Sequence, residues 1–176
     1  VTIDPADGKT VEISGAHGGV GIDGGTATIK GGSYASSEYY GLYVSNDAGT
    51  AEVTVTGGTF TGKEYSAFIG SDGSSSVNST LKIEGGTFNM PIHAQGNTDT
   101  GAIQVSGGTF SSAVLPEYCA DGYVPEKNAD GTFGVQEYKP IEVWTGYSGS
   151  TGEKVASYTN LADAAKNLGN YQWILV

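Results

Sequence analysis

One eight-residue pattern recurs along the chain and dictates most of what it can become: an alternating β-favouring stretch, a Gly-Gly pair, then Ser or Thr and an aromatic ring. It reads ATIKGGSY from Ala27, VTVTGGTF from Val53, LKIEGGTF from Leu81 and IQVSGGTF from Ile103. The Gly-Gly pairs begin at Gly31, Gly57, Gly85 and Gly107, at intervals of 26, 28 and 22 residues. A shorter relative, VEISG from Val11, precedes them. Unequal but bounded spacing is what one structural unit gives when it repeats with loops of variable length.

A second strand follows each Gly-Gly segment: GVGID at Gly19, GLYVS at Gly41, SAFIG at Ser66 and PIHAQ at Pro91. Side chains alternate along a strand, so the inward pairs are Val20 and Ile22, Leu42 and Val44, Ala67 and Ile69, and Ile92 and Ala94. In the first strand they are Val11 and Ile13, Ala27 and Ile29, Val53 and Val55, Leu81 and Ile83, and Ile103 and Val105. A strand pair per 22 to 28 residues is too long for a meander of hairpins and fits one turn of a solenoid. The predicted fold is therefore all-β, a right-handed parallel β-helix of about four to five coils. Like positions then stack at the strand spacing of about 4.8 Å. Tyr34, Phe60, Phe88 and Phe110 would form an internal aromatic ladder, each ring pair adding roughly 0.5–1.5 kcal/mol beyond area burial. The Gly-Gly before each ring would let the backbone turn a sharp corner at positive φ. An antiparallel sandwich or barrel is the rival architecture, but the Asn-Gly hairpins that would favour it are missing between the repeats.

Past Phe110 the pattern changes. Tyr123 to Lys127 and Thr132 to Gln136 flank Asn128-Ala129-Asp130-Gly131, which reads as a hairpin placed to cover the last coil and blunt its edge. A strand at Ile141 to Thr145, another around Lys154 to Tyr158, a helix at Leu161 to Leu168 capped by Asn160 and ended by Gly169, and a strand at Tyr171 to Val176 make a small α+β tail. The expected division is a β-helix over 1–120, a capping hairpin over 121–138 and an appended segment over 139–176, the start of a next module.

Composition narrows the function classes. The hydrophobic fraction is only 38%, but 29 glycines account for the deficit and the apolar residues recur in order, which separates this chain from disordered Gly/Ser-rich sequence. Eight basic residues stand against 19 acidic ones, a net charge of −11, which argues against nucleic acid and anionic membranes as partners. Cys119 is the sole cysteine, so an intrachain disulfide or a cysteine-rich zinc site is excluded. No apolar run approaches a membrane span and no signal-peptide pattern opens the sequence, so an exported parent would carry its signal and anchor outside this chain.

The run GGTFSSAVLPEYCADGYVPEKNADGTFGV, from Gly107 to Val135, resembles a segment of large multi-module surface proteins of gut-dwelling Gram-positive bacteria, where it closes a Gly-Gly-Thr-Phe β-helix. The tail ASYTNLADAAKNLGNYQWILV is similar to the opening of a further module in the same proteins. The resemblance spans Val11 to Val176 and implies an extracellular, cell-surface or secreted, adhesin-like module; a monomer is expected. It carries no ligand residues over.

Several motifs have a plainer reading than the chemistry they suggest. Gly19-Val20-Gly21-Ile22-Asp23-Gly24 spells a dinucleotide fingerprint, but Thr26 to Ile29 continues as strand where a phosphate-binding helix is required. Leu115-Pro116-Glu117-Tyr118 lacks the rest of a sortase signal. Asn78-Ser79-Thr80 fits a glycosylation acceptor, which means little in a bacterial chain. Asp23, Asp47, Asp72 and Asp99 each follow a second strand and are candidate Ca²⁺ ligands, although Asp is also a default turn residue and the loops differ in length. No other cofactor is indicated. The candidate binding residues are an outward stripe of Tyr43, Phe68 and His93, whose rings would pack on sugar rings or on a host surface protein. Catalysis on polysaccharide, as a lyase or hydrolase, is the alternative; it needs converging acid and base groups. The chain has no arginine, and His17 and His93 fall about three coils apart. A non-catalytic surface module is the expected function.

Overall fold

The computed structural model describes residues 1–6, 9–45, 49–70, 79–95, 102–145, 152–158, 161–168 and 172–175. They divide into two compact units, Val1–Glu137 and Tyr138–Val176. The first is a parallel β-solenoid of about four turns.

Each full turn carries three strands, one more than the sequence pattern distinguishes. The first sheet stacks Thr2–Ile3, Gly25–Ile29, Ala51–Val55, Thr80–Ile83 and Ile103–Val105 in parallel. The second stacks Glu12–Gly15, Ser33–Ser36, Thr59–Thr61, Thr87–Phe88 and Thr109–Phe110. The third stacks Gly18–Asp23, Tyr40–Ser45, Tyr65–Ile69 and Ile92–Ala94. The additional sheet is the Thr-Phe step itself, only two to four residues per turn and too short for alternation to reveal.

Register follows the repeat. Ala27, Val53, Leu81 and Ile103 stack in one row and Ile29, Val55, Ile83 and Val105 in the next, all buried. Tyr34, Phe60, Phe88 and Phe110 stack in the second sheet with centroids 5.1, 5.0 and 4.9 Å apart and planes within 16°. Tyr34 fits among the phenylalanines because its hydroxyl donates to Gly31 O at 2.7 Å; burial raises its pKa above the ordinary tyrosine range.

The two glycines of each corner serve different needs. The second, Gly32, Gly58, Gly86 or Gly108, takes φ of +101° to +106°, where an L side chain is strained. At the first, in Gly57, Gly85 and Gly107, a Cβ would run into the carbonyl oxygen of Lys30, Thr56 and Glu84 in the turn below. The coils approach too closely there for any side chain.

One expectation is corrected. Val11–Gly15 does not begin the first sheet: Glu12–Gly15 belongs to the second, with Ile13 opposite Tyr34, and Thr2–Ile3 holds the first-sheet position beside Thr28 and Ile29. VEISG lacks a ring after its glycine because Ile13 itself stands at the rung below Tyr34. With no strand beneath it among the described residues, Ile13 stays 40% exposed.

The other end is closed on all three sheets. Phe133–Glu137 adds antiparallel to Thr109–Phe110, pairing Phe133 with Phe110, and Tyr123–Lys127 completes the hairpin. Cys119 bridges to Val105 on the first sheet, with Ala120 N–H donating to Val105 O at 2.9 Å. Tyr118 Oη accepts from Ala94 N–H on the third sheet at 3.1 Å, and Val114 is buried over the core. The hairpin turn is built as read, with Gly131 at φ +89°, but its second strand starts one residue later because Thr132 is spent on the turn: its N–H and hydroxyl both donate to Asp130 Oδ1. Those hydrogen bonds hold the Asp130 carboxyl below the usual carboxylate range.

In Tyr138–Val176, Ile141–Thr145 pairs antiparallel with Lys154–Tyr158 on one side and Gln172–Leu175 on the other. Val143 and the helix residue Ala164 form its buried centre. Glu142 accepts from Lys154 Nζ and Trp144 Nε1, both at 3.0 Å, which lowers its pKa. The helix covers Leu161–Lys166 and not the expected 161–168, because Asn167 and Leu168 donate to carbonyls three residues back and tighten the last turn. Asn160 and Gly169 lie outside the described residues.

Candidate functional site

The third sheet carries rings on its outer side. Tyr43, Phe68 and His93 occupy one row in register, as alternation requires. Their exposure differs from expectation: Phe68 is 6% exposed, and Tyr43 and His93 are half-buried. The reason is a second row of rings, Tyr40 and Tyr65, also in register with each other.

Tyr40 and Tyr65 are missed by strict alternation, which puts them in phase with the inward Leu42 and Ala67. Alternation breaks immediately after them. Gly41 and Ser66 are buried next to the buried Leu42 and Ala67, and a Cβ on Gly41 would lie 2.7 Å from Ser66 O and 2.8 Å from Thr61 N. With that break the preceding rings join the outward group, Tyr40 against Tyr43 and Phe68 and Tyr65 against His93. The sequence signal is a ring followed by a small residue, Tyr40-Gly41 and Tyr65-Ser66, opening the second strand of a coil.

The two rows interlock diagonally. Tyr40 stacks on Phe68 of the next coil, centroids 4.3 Å apart and planes at 8°. One turn later Tyr65 stacks on His93 at 4.7 Å and 17°. Tilted contacts at 5.8 Å join Tyr43 to Tyr40 and to Phe68, and Phe68 to His93. Tyr39 extends the group through Tyr40 at 5.8 Å and stacks on His17 at 5.6 Å. The two histidines, distant in sequence, thus stand at the two ends of one aromatic surface. His17 Nδ1 lies 3.4 Å from Glu38 Oε2, and both side chains are largely exposed.

In the first coil both in-register rows stop. Gly18 lies opposite Tyr40 and Gly21 opposite Tyr43. Beside these glycines is a cleft of about 500 Å³ lined by His17, Gly18, Val20, Gly21, Tyr39, Tyr40 and Tyr43.

Asp23 is exposed at the end of its strand, and Asp47, Asp72 and Asp99 lie outside the described residues. Among the described residues no group of three or more His, Cys, Asp and Glu side chains is placed to hold a metal ion. Burial, and then the Glu117 carboxylate, raises the Cys119 thiol pKa, so the sulfur is held protonated rather than activated as a nucleophile. Outward residues of the first sheet, Thr26, Glu52, Thr54, Thr80, Lys82 and Gln104, line a polar depression of about 220 Å³.

Compared with known protein families, with curated proteins and with solved structures, the chain matches none.

Proposed function

We propose that the chain is a non-catalytic module of a bacterial cell-surface or secreted protein, adhesin-like in role, which presents a ring-lined face to glycan. The carrying observation is the aromatic surface from His17 to His93, fixed on strands whose opposite side chains are core. Rings held at fixed spacing on a rigid scaffold lose little freedom on binding and offer flat apolar faces with polar edges. The acidic balance and the Gly-Gly-Thr-Phe resemblance to surface proteins support the extracellular setting.

The test is a glycan array and a panel of host surface glycoproteins probed with wild type and with a Tyr40→Ala/Tyr65→Ala double variant. Wild type should bind at least one glycan class, and the double variant should lose at least tenfold in affinity. Binding that survives the double variant undiminished places the ligand elsewhere. Reducing ends or unsaturated uronyl products released from a polysaccharide would instead make the chain a hydrolase or lyase.

A further inference from the structure

We infer that the cleft beside Gly18 and Gly21 is a subsite for one neutral pyranose ring, seated where the diagonal ladder of side-chain rings omits a rung. The inference rests on the glycan-binding reading and deepens it.

The ladder has a rule. A ring just before each break in alternation stacks on the outward ring of the following coil: Tyr40 on Phe68, and Tyr65 on His93. Applied one turn earlier, the rule puts a ring at position 18 stacked on Tyr43. Position 18 is glycine, and position 21, directly below Tyr43, is glycine too. Two side chains are therefore omitted side by side in one coil, and the cleft of about 500 Å³ opens there.

The backbone does not demand glycine at Gly21. A Cβ built there meets nothing within 4 Å, and its φ is not positive. At Gly18 the nearest atom to a Cβ would be Tyr40 O at 3.9 Å, an ordinary contact. Gly19 between them is different: its Cβ would lie 2.5 Å from Gly41 O, so glycine is sterically required. Of the three, only Gly19 is explained by packing. What Gly18 and Gly21 provide is space.

The chemistry of the lining selects the occupant. Tyr39, Tyr40, Tyr43 and His17 make the lining largely aromatic, the surface on which the C–H face of a pyranose packs. The exposed Tyr39, the His17 imidazole and the Glu38 carboxylate beside it supply donors and acceptors suited to equatorial hydroxyls, while the Tyr43 hydroxyl is buried and that residue contributes only its ring. The Glu38 carboxylate beside His17 and a net charge of −11 disfavour uronates and sialic acids, which leaves neutral sugars.

The experiment is calorimetric titration of the full chain with neutral oligosaccharides of glucose, mannose, galactose and N-acetylglucosamine, and with oligogalacturonate as the acidic counterpart. Gly21→Phe fills the cleft from a position with room for a side chain, and Tyr43→Ala removes one wall. Lys82→Ala, on the first sheet, is the control. Circular dichroism and urea unfolding confirm that each variant is folded. A neutral oligosaccharide should bind wild type and Lys82→Ala alike, and lose at least tenfold in affinity to both Gly21→Phe and Tyr43→Ala. Neutral binding unchanged in folded Gly21→Phe but lost in Tyr40→Ala/Tyr65→Ala overturns the subsite and leaves the glycan-binding reading intact. Binding of oligogalacturonate alone overturns the neutral assignment. Binding of a protein partner but no sugar overturns the subsite and points to a side chain as the cleft's occupant. Binding of nothing overturns both.

Discussion

The solenoid carries two stacks of rings, and they obey different rules. The inner stack, Tyr34 to Phe110, has one ring per turn, centroid steps of 4.9–5.1 Å and tilts of 11–16°. The outer group runs from 4.3 to 6.1 Å with tilts of 8–51°, is two rings wide in its middle coils, and stops at glycine in the first coil. Inside, the corner glycines and the close approach of successive backbones fix where each ring must go, so the sequence barely varies. Outside, the same backbone register accommodates Gly21, Tyr43, Phe68 or His93. The inner repeat thus reports architecture. The outer departures from repeat are not set by the corner glycines, and under the glycan-binding proposal they form the ligand face.

Removing a ring from each stack should break the comparison most visibly. Phe88 is fully buried between Phe60 and Phe110, so Phe88→Ala is expected to cost about 3–5 kcal/mol. Phe68→Ala, outside the tube and flanked by rings that can settle into the gap, should cost about 2 kcal/mol, below the range for an enclosed phenylalanine. Urea unfolding followed by circular dichroism compares the two. Equal losses would mean that the outer group is as much core as the inner one, and that its rings are not held for display.

The glycines sharpen the distinction with a single methyl group. Gly57→Ala drives a Cβ into Lys30 O of the turn below and should cost about 1–3 kcal/mol. Gly21→Ala enters open space and should stay within about 0.5 kcal/mol of wild type. Thermal midpoints of the two variants measure this directly, and a destabilised Gly21→Ala would give that glycine a packing role after all.

How much of this was legible in the sequence follows from the same contrast. Inward rows such as Val53, Leu81 and Ile103 were readable because alternation is strict within a straight strand. The Thr-Phe sheet was not, since two residues give no period. VEISG was assigned to the wrong sheet because a five-residue match cannot separate a strand before the corner from one after it, and only the pairing of Ile13 with Tyr34 decides. The register of Tyr43, Phe68 and His93 follows from phase, though not their burial, whereas Tyr40 and Tyr65 are hidden because alternation breaks at Gly41 and Ser66. The hairpin cap was legible from turn chemistry at Asn128 to Gly131. The parts played by Tyr118 and Cys119 in closing the other two sheets were not, because each depends on a contact with a distant strand end.

The smallest effect concerns Tyr34, the one inner ring with a polar tip. Tyr34→Phe removes the hydrogen bond to Gly31 O and should cost about 1 kcal/mol at neutral pH. It should also change the pH dependence. Burial raises the Tyr34 pKa above 10.0, so in the folded chain the phenol keeps a proton that the unfolded chain releases at about pH 10. Above that pH the unfolded state binds fewer protons, and stability falls as pH rises toward the folded pKa; below it the contribution is complete and constant. Urea midpoints collected from neutral to strongly alkaline pH should therefore decline less steeply for Tyr34→Phe, and the gap between the two proteins should narrow with rising pH. Parallel curves would mean that Tyr34 ionises as readily folded as unfolded, and that the ladder opens at its first rung.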